Sequence, residues 1–183
     1  MDGGVAGGGL GLRGCWCDAV LAVVGEGLVR YAEHTAVSVE KSKAEIERTL
    51  TRYGASKFMN AWDEGKALIV FEMNSRRIRF VLPLPDRKEK VFWNTPGGRK
   101  RRNEAGALEA WEQACRQRWR ALGLAIKAKL EAVETGITTF DEEFLAHIVL
   151  PNNQTVGEWI VPQVSGIYLD KKMPPMLTFT GKA

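Results

Sequence analysis

The densest set of acid-base or metal-ligand groups in the chain is Asp141-Glu142-Glu143 followed by His147. If the segment is helical, the four-residue step from Glu143 to His147 puts both on one face, as a pair of metal ligands or as an acid and a base. A structural role fits the same residues better. Thr139-Phe140-Asp141-Glu142 has the form of a capping box, and acids in a first turn complement the helix dipole. No second acidic cluster has a spacing that completes a metal site. The only histidines are His34 and His147, which leaves few candidates for a Ser-His-Asp arrangement. Cys15, Cys17 and Cys115 are an odd number, and Cys-Trp-Cys lacks the two-residue gap of a zinc knuckle. The sequence therefore assigns no catalytic residue, no metal and no cofactor, and the cysteine usage is that of an intracellular chain.

A second kind of chemistry is concentrated between Asp86 and Asn103. Arg87, Lys88, Lys90, Arg99, Lys100, Arg101 and Arg102 stand there against Asp86 and Glu89, seven basic residues against two acidic ones, a net of +5 in a chain whose whole net charge is +4. Gly97-Gly98-Arg99-Lys100-Arg101-Arg102 lacks the Gly-Lys-Ser/Thr ending of a phosphate loop, so nucleotide hydrolysis has no support. As a flexible cationic loop just before a helix, with Phe92 and Trp93 nearby and more Arg and Lys along that helix, the segment matches the charge and stacking parts of nucleic-acid binding. The predicted interface is Arg99, Lys100, Arg101 and Arg102, with Arg87, Lys88, Lys90 and Trp93 beside them. A merely solvated loop is the competing reading. Trp62 and Trp93 lie off any apolar stripe and are the tryptophans best placed for contact.

These residues need elements to position them. Ser42-Lys43-Ala44-Glu45 reads as a capping box, predicting a helix over 43–53 with Ile46, Leu50 and Tyr53 on its apolar side and Gly54 as its stop. Residues 66–82 read as a hairpin about Asn74-Ser75 that pairs Phe71 with Ile78, Ile69 with Phe80 and Glu72 with Arg77. Leu68, Val70 and Val81 make its second face partly apolar, so something is expected to cover part of it. Val91-Phe92-Trp93 is the candidate for a short third strand. The longest helix is predicted over Glu104 to Glu134, with Leu108, Trp111, Cys115, Trp119, Leu122, Ile126, Leu130 and Val133 as a continuous stripe, Gly123 at a close crossing and Gly136 as the stop. Thr139 opens a further helix that Pro151 ends. Thr155-Val156-Gly157-Glu158 opens the last one, which Pro162 should kink or divide. The order helix, strands, basic loop, helix is similar in arrangement to double-stranded-RNA-binding domains, although Asn103-Glu104-Ala105 departs from their basic helix start.

The remaining sequence bounds the class. The 183 residues are 45% hydrophobic and 26% charged, enough for one domain with a real core. The longest apolar run, Ala19 to Val24, falls far short of the roughly 20 residues that cross a bilayer. Seven of the first 14 residues are Gly, so residues 1–36 are expected to be a disordered extension. Gly25-Glu26-Gly27 corresponds to a purine-rich stretch like a bacterial ribosome-binding site, which suggests a natural start at Val29. Residues 171–183 read as a tail.

Four strings carry a resemblance: Val37-Ser38-Val39-Glu40-Lys41-Ser42 through Arg52-Tyr53-Gly54-Ala55, Arg77 through Pro85, Arg118-Trp119-Arg120-Ala121-Leu122 to Lys127-Ala128-Lys129-Leu130-Glu131, and Ile148-Val149-Leu150-Pro151 with Thr155-Val156-Gly157-Glu158-Trp159. They resemble a family of small bacteriophage and prophage proteins of uncharacterised function, over about Tyr31 to Pro175. The resemblance implies a mobile element acting in a bacterial cytoplasm and brings no catalytic residues with it.

The sequence thus predicts a single α+β domain over 37–170, a small antiparallel sheet packed on three to four helices, one of them long. The predicted function is a non-enzymatic, phage-encoded DNA- or RNA-binding accessory protein. The alternative is an inhibitor or adaptor that binds a host defence or replication complex. A carboxylate-dependent nuclease built on the Asp141 cluster is the third reading.

Overall fold

The computed structural model describes residues 31–171, except 33, 64 and 96. The Gly-rich segment, the start near Val29 and the chain from residue 172 onward lie outside the described residues. Tyr31 and Thr35, grouped above with the extension, meet the long helix, where their carbonyls accept hydrogen bonds from Gln117 and Gln113 respectively.

Helix α1 spans Val39–Arg52. It starts a turn earlier than the capping-box reading, with Ser38 as the cap; the Ser38 Oγ accepts the Lys41 amide at 3.2 Å. Ser42 is instead buried inside the helix and donates to the Ser38 carbonyl. The extra turn brings Val39 against the core, an apolar gain that the pattern around Ser42 did not include. Tyr53 follows and Gly54 takes a φ of 91°, the left-handed geometry expected of the stop.

Three antiparallel strands form a sheet in the order β1 (Lys57–Asp63), β2 (Lys66–Met73), β3 (Arg76–Pro83). The hairpin register is the one read from sequence, with Phe71 opposite Ile78, Ile69 opposite Phe80 and Glu72 opposite Arg77. Asn74 and Ser75 both have positive φ, as a two-residue hairpin turn of matching twist requires. The third strand is not Val91-Phe92-Trp93, which forms the short helix α2 (Lys90–Trp93). Burial of Phe92 anchors that turn, while Pro83 and Pro85 have already ended the sheet. The true third strand precedes the hairpin and pairs with β2 from Lys57–Glu72 to Asp63–Lys66.

Helix α3 runs Glu104–Glu134, as predicted, capped by Asn103, whose Oδ1 accepts the Gly106 amide. Cys115, Trp119, Leu122, Ile126 and Leu130 are buried. Gly123 faces α1: a Cβ there would sit 3.4 Å from Ile46. Helix α4 is short, Phe140–Phe144, with a complete capping box between Thr139 and Glu142. The expected helix to Pro151 does not continue. Leu145–His147 form a 3-10 turn, and then Ile148 and Val149 extend along the free edge of β3, the Val149 amide bonding the Arg77 carbonyl. Edge pairing thus claims residues that the apolar pattern gave to the helix. Helix α5 spans Val156–Asp170 and runs through Pro162 without division. A proline removes one amide donor and crowds the carbonyl four residues back, which can bend a helix without ending it.

The core lies between one sheet face and the helices α1, α3 and α4. Phe71, Phe80 and Phe144 meet at its centre, with Phe144 edge-on to both others at 6.2 and 6.3 Å. On the second face Leu68 and Val70 are half-buried beside Val149 and Asn153, while Met59 and Val81 stay exposed, so the cover expected there is partial. The architecture is an α+β fold. No helix among the described residues is long and apolar enough to cross a membrane.

Candidate nucleic-acid interface

The basic segment is an ordered corner rather than a flexible loop. After Pro85, the Asp86 Oδ1 accepts the Lys88 amide and the Glu89 Oε1 accepts the Asp86 amide, so the two acids are used in shaping the turn. Helix α2 then leads into a closed loop. Asn94 pairs with Arg101 as an isolated antiparallel bridge, the Thr95 amide donates to the Lys100 carbonyl, and the Arg102 amide donates to the Trp93 carbonyl. Gly97 and Gly98, both at positive φ, make the reversal between them.

Within this loop the predicted residues have different jobs. Arg99, Lys100 and Arg101 are exposed. Arg101 lies with its guanidinium 5.5 Å from the centre of the Trp93 ring, a cation-π pair. Trp93 is half-buried and donates its indole N–H to the Arg87 carbonyl. Arg87 also reaches Glu104 at 3.5 Å, and Lys88 and Lys90 are exposed. Arg102 turns inward: one of its Nη atoms donates to the carbonyls of Asn94 (2.6 Å), Val91 and Phe92 (both 3.3 Å). It ties α2 to the start of α3. A depression of about 500 Å³ lies beside it, lined by Val91, Phe92, Thr95 and the two glycines among others.

The structure therefore brings Arg87, Trp93 and Arg101 together, places Arg99 and Lys100 at the tip, and gives Arg102 a structural bond set. Most of the cations along α3 have partners of their own, while Lys127 is exposed. Arg116 is held by Glu112 and Gln113, Arg118 donates to the Pro83 carbonyl, Arg120 pairs with Glu45, and Lys129 with Glu143. Trp62, flagged as a contact candidate, is 79% exposed at the end of β1. It borders a cleft with Trp111, Trp119 and Leu84. The Trp111 indole bonds the Pro85 carbonyl, a link between the core stripe and the basic segment that no sequence periodicity signals.

The carboxylate cluster is dispersed into structural contacts. Asp141 pairs with Arg76 at 3.4 Å, and Glu143 with Lys129 at 2.8 Å. Glu142 closes the capping box, and the Thr139 hydroxyl and amide hold its carboxyl below the usual range. His147 stacks on Phe80 with ring centres 4.0 Å apart; burial first, then the Lys129 charge, push its pKa down. Among the described residues no group of three or more His, Cys, Asp or Glu is placed to hold a metal ion. Cys115 is a buried free thiol whose pKa burial raises to about 11, which makes it a poor nucleophile. No protein-family model, no curated protein and no solved structure matches this chain.

Proposed function

We propose that the protein is a non-enzymatic nucleic-acid-binding accessory protein of a bacteriophage, acting in the host cytoplasm in replication, recombination or interference with host nucleic-acid machinery. The observation that carries this reading is the closed loop that holds Arg99 and Lys100 outward, next to an Arg101–Trp93 stack flanked by Arg87, Lys88 and Lys90. Fixed cations lose less freedom on meeting phosphates than a mobile loop would. A planar guanidinium backed by an indole offers a stacking surface to an unpaired base as well. The order helix, three strands, helix, with this corner at the start of the long helix α3, supports the same reading by analogy of arrangement.

Titration of DNA and RNA at several salt concentrations tests it. Changing Arg99, Lys100 and Arg101 to Ser while keeping Arg102 should weaken binding to all sequences alike. The salt slope should fall by about 0.9 per lost phosphate contact on duplex B-DNA, or about 0.7 on a single strand. Trp93→Ala should cost about 1 to 3 kcal/mol on single strands and leave the slope nearly unchanged. A wild-type protein that binds neither DNA nor RNA at low salt ends this reading, and the inhibitor or adaptor of a host complex replaces it.

A further inference from the structure

Among the described residues, helix α5 carries a run of exposed apolar side chains. None of its residues is buried, and Trp159, Ile160, Val161, Val164, Tyr168 and Leu169 are exposed, the last two at 81% and 82%. Its first turn is fastened: Glu158 closes the capping box with Thr155 and meets Arg79 at 2.6 Å, and Gly157 lies against Ala146, where a Cβ would come 2.8 Å from the carbonyl oxygen. Gly157, Val161, Val164 and Tyr168 follow one another at steps of four, three and four, so they share one stripe. The fold covers this stripe at Gly157 and leaves the rest bare.

We infer that this stripe pairs with the same stripe of a second copy of the chain, antiparallel, about a two-fold axis between Val164 and Ser165. One observation chooses that occupant and two its orientation. An isologous contact sets each patch against its own copy, so any charge in it meets a like charge; from Trp159 to Leu169 there is none. The end of the stripe at Gly157 is occupied by Ala146, so two parallel copies would bring both bodies to the same end, whereas antiparallel copies place them at opposite ends. Antiparallel pairing also sets each helix N-terminus near the other's C-terminus, which favours the dipoles. Val161 then packs against Tyr168 of the second copy, and Val164 against Val164 of the second copy beside the axis. The stripe offers three exposed side chains, Val161 at 54%, Val164 at 41% and Tyr168 at 81%, a small patch for specific association, so the dimer should be concentration-dependent rather than obligate.

Sedimentation of the full chain from low to high micromolar concentration tests the inference. The wild type should shift from monomer to dimer mass. Val164→Asp places two carboxylates at the axis and should weaken the dimer by about ten-fold or more, with an unchanged circular dichroism spectrum and melting temperature. Cysteine pairing reports the geometry, in a background with Cys15 and Cys17 changed to Ser. Val164→Cys, on the stripe and beside the axis, should form a disulfide-linked dimer. Val161→Cys should not, because antiparallel copies hold those positions roughly 10 Å apart along the axis. A wild type that stays monomeric throughout overturns the proposal, as does efficient cross-linking through Val161→Cys.

Discussion

Arg102 and its neighbours show how far identical side chains diverge once a backbone is closed around them. The Arg102 guanidinium donates to three carbonyls, while Arg99 and Lys100 are exposed at the loop's tip. Arg102→Ala should therefore destabilise the protein by about 1 to 3 kcal/mol, since carbonyls that are in part buried lose a charged donor. Lys100→Ala should stay within about 0.5 kcal/mol of the wild type in the same urea titration. Equal losses for the two would remove the distinction. The basic run was legible in the sequence as charge but not as roles, because the Asn94–Arg101 pairing that turns Arg102 inward is a loop-closure event with no periodic signature. His147 makes a second case. Its folded pKa lies below the ordinary 6.5 because burial, then Lys129, disfavour the imidazolium, with a backbone bond to Arg79 opposing them. The unfolded chain then binds the proton more readily, so the stabilisation is complete above about pH 6.5 and is lost as pH falls through the folded value. The depressed carboxyls of Glu72, Glu142 and Glu158 act below 4.5, in a separate window. Urea unfolding at pH 8 and near pH 5 should show the wild type losing stability and His147→Phe losing less. The same loss in both would mean that another group titrates there.

At the scale of elements, the long and doubly marked segments were legible and the short ones were not. Helix α3 has an apolar stripe over eight turns and glycine just past its end, so both its span and its buried face follow from periodicity. The hairpin register followed from a turn and cross-strand pairs that agreed. Strand β1 did not: Lys57–Asp63 is an edge strand with one neighbour, mostly exposed, and its alternation is broken. Helix α2 and the 3-10 turn are set by tertiary anchors, Phe92 and the β3 edge, rather than by local preference. Two glycines, both inside helices, separate contact from propensity. At Gly123 a methyl would meet only the Ile46 side chain, Cγ1 at 3.4 Å and Cδ1 at 3.7 Å, both ordinary contacts, so Gly123→Ala should stabilise by up to about 1 kcal/mol. At Gly157 the methyl would meet the Ala146 backbone carbonyl at 2.8 Å, and Gly157→Ala should destabilise by about 1 to 3 kcal/mol. Calorimetry should give melting-temperature shifts of opposite sign. A shared sign would mean that helix propensity outweighs the close approach at Ala146.

Over the described part of the molecule, three surfaces do separate work. The core joins α1, α3 and α4 to one sheet face, the basic corner sits between β3 and α3, and α5 stands apart on its first turn. None of the loop residues 93–102 belongs to the core cluster, and Phe92 is buried apart from it. The segment 86–103 carries a net of +5, so the rest of the chain is close to neutral at −1, and under the proposed function a polyanion would be drawn to that corner rather than to the whole surface. Stability and binding should therefore respond to different substitutions. Trp119 is 2% exposed among Ile46, Ile126 and their neighbours, and Trp119→Ala should cost about 3 to 5 kcal/mol by opening a cavity that the α1–α3 crossing cannot close. Below its lowered melting temperature, that variant should keep the wild-type salt slope on nucleic acid. The Arg99, Lys100 and Arg101 to Ser variant should keep the melting temperature and lose slope. Combined, the two effects should add to within about 0.5 kcal/mol, because the sites share no partners. A salt slope that changes with Trp119→Ala would mean that nucleic acid contacts the cleft beside Trp62, Trp111 and Trp119, and would move the interface from the loop toward the open end of the sheet.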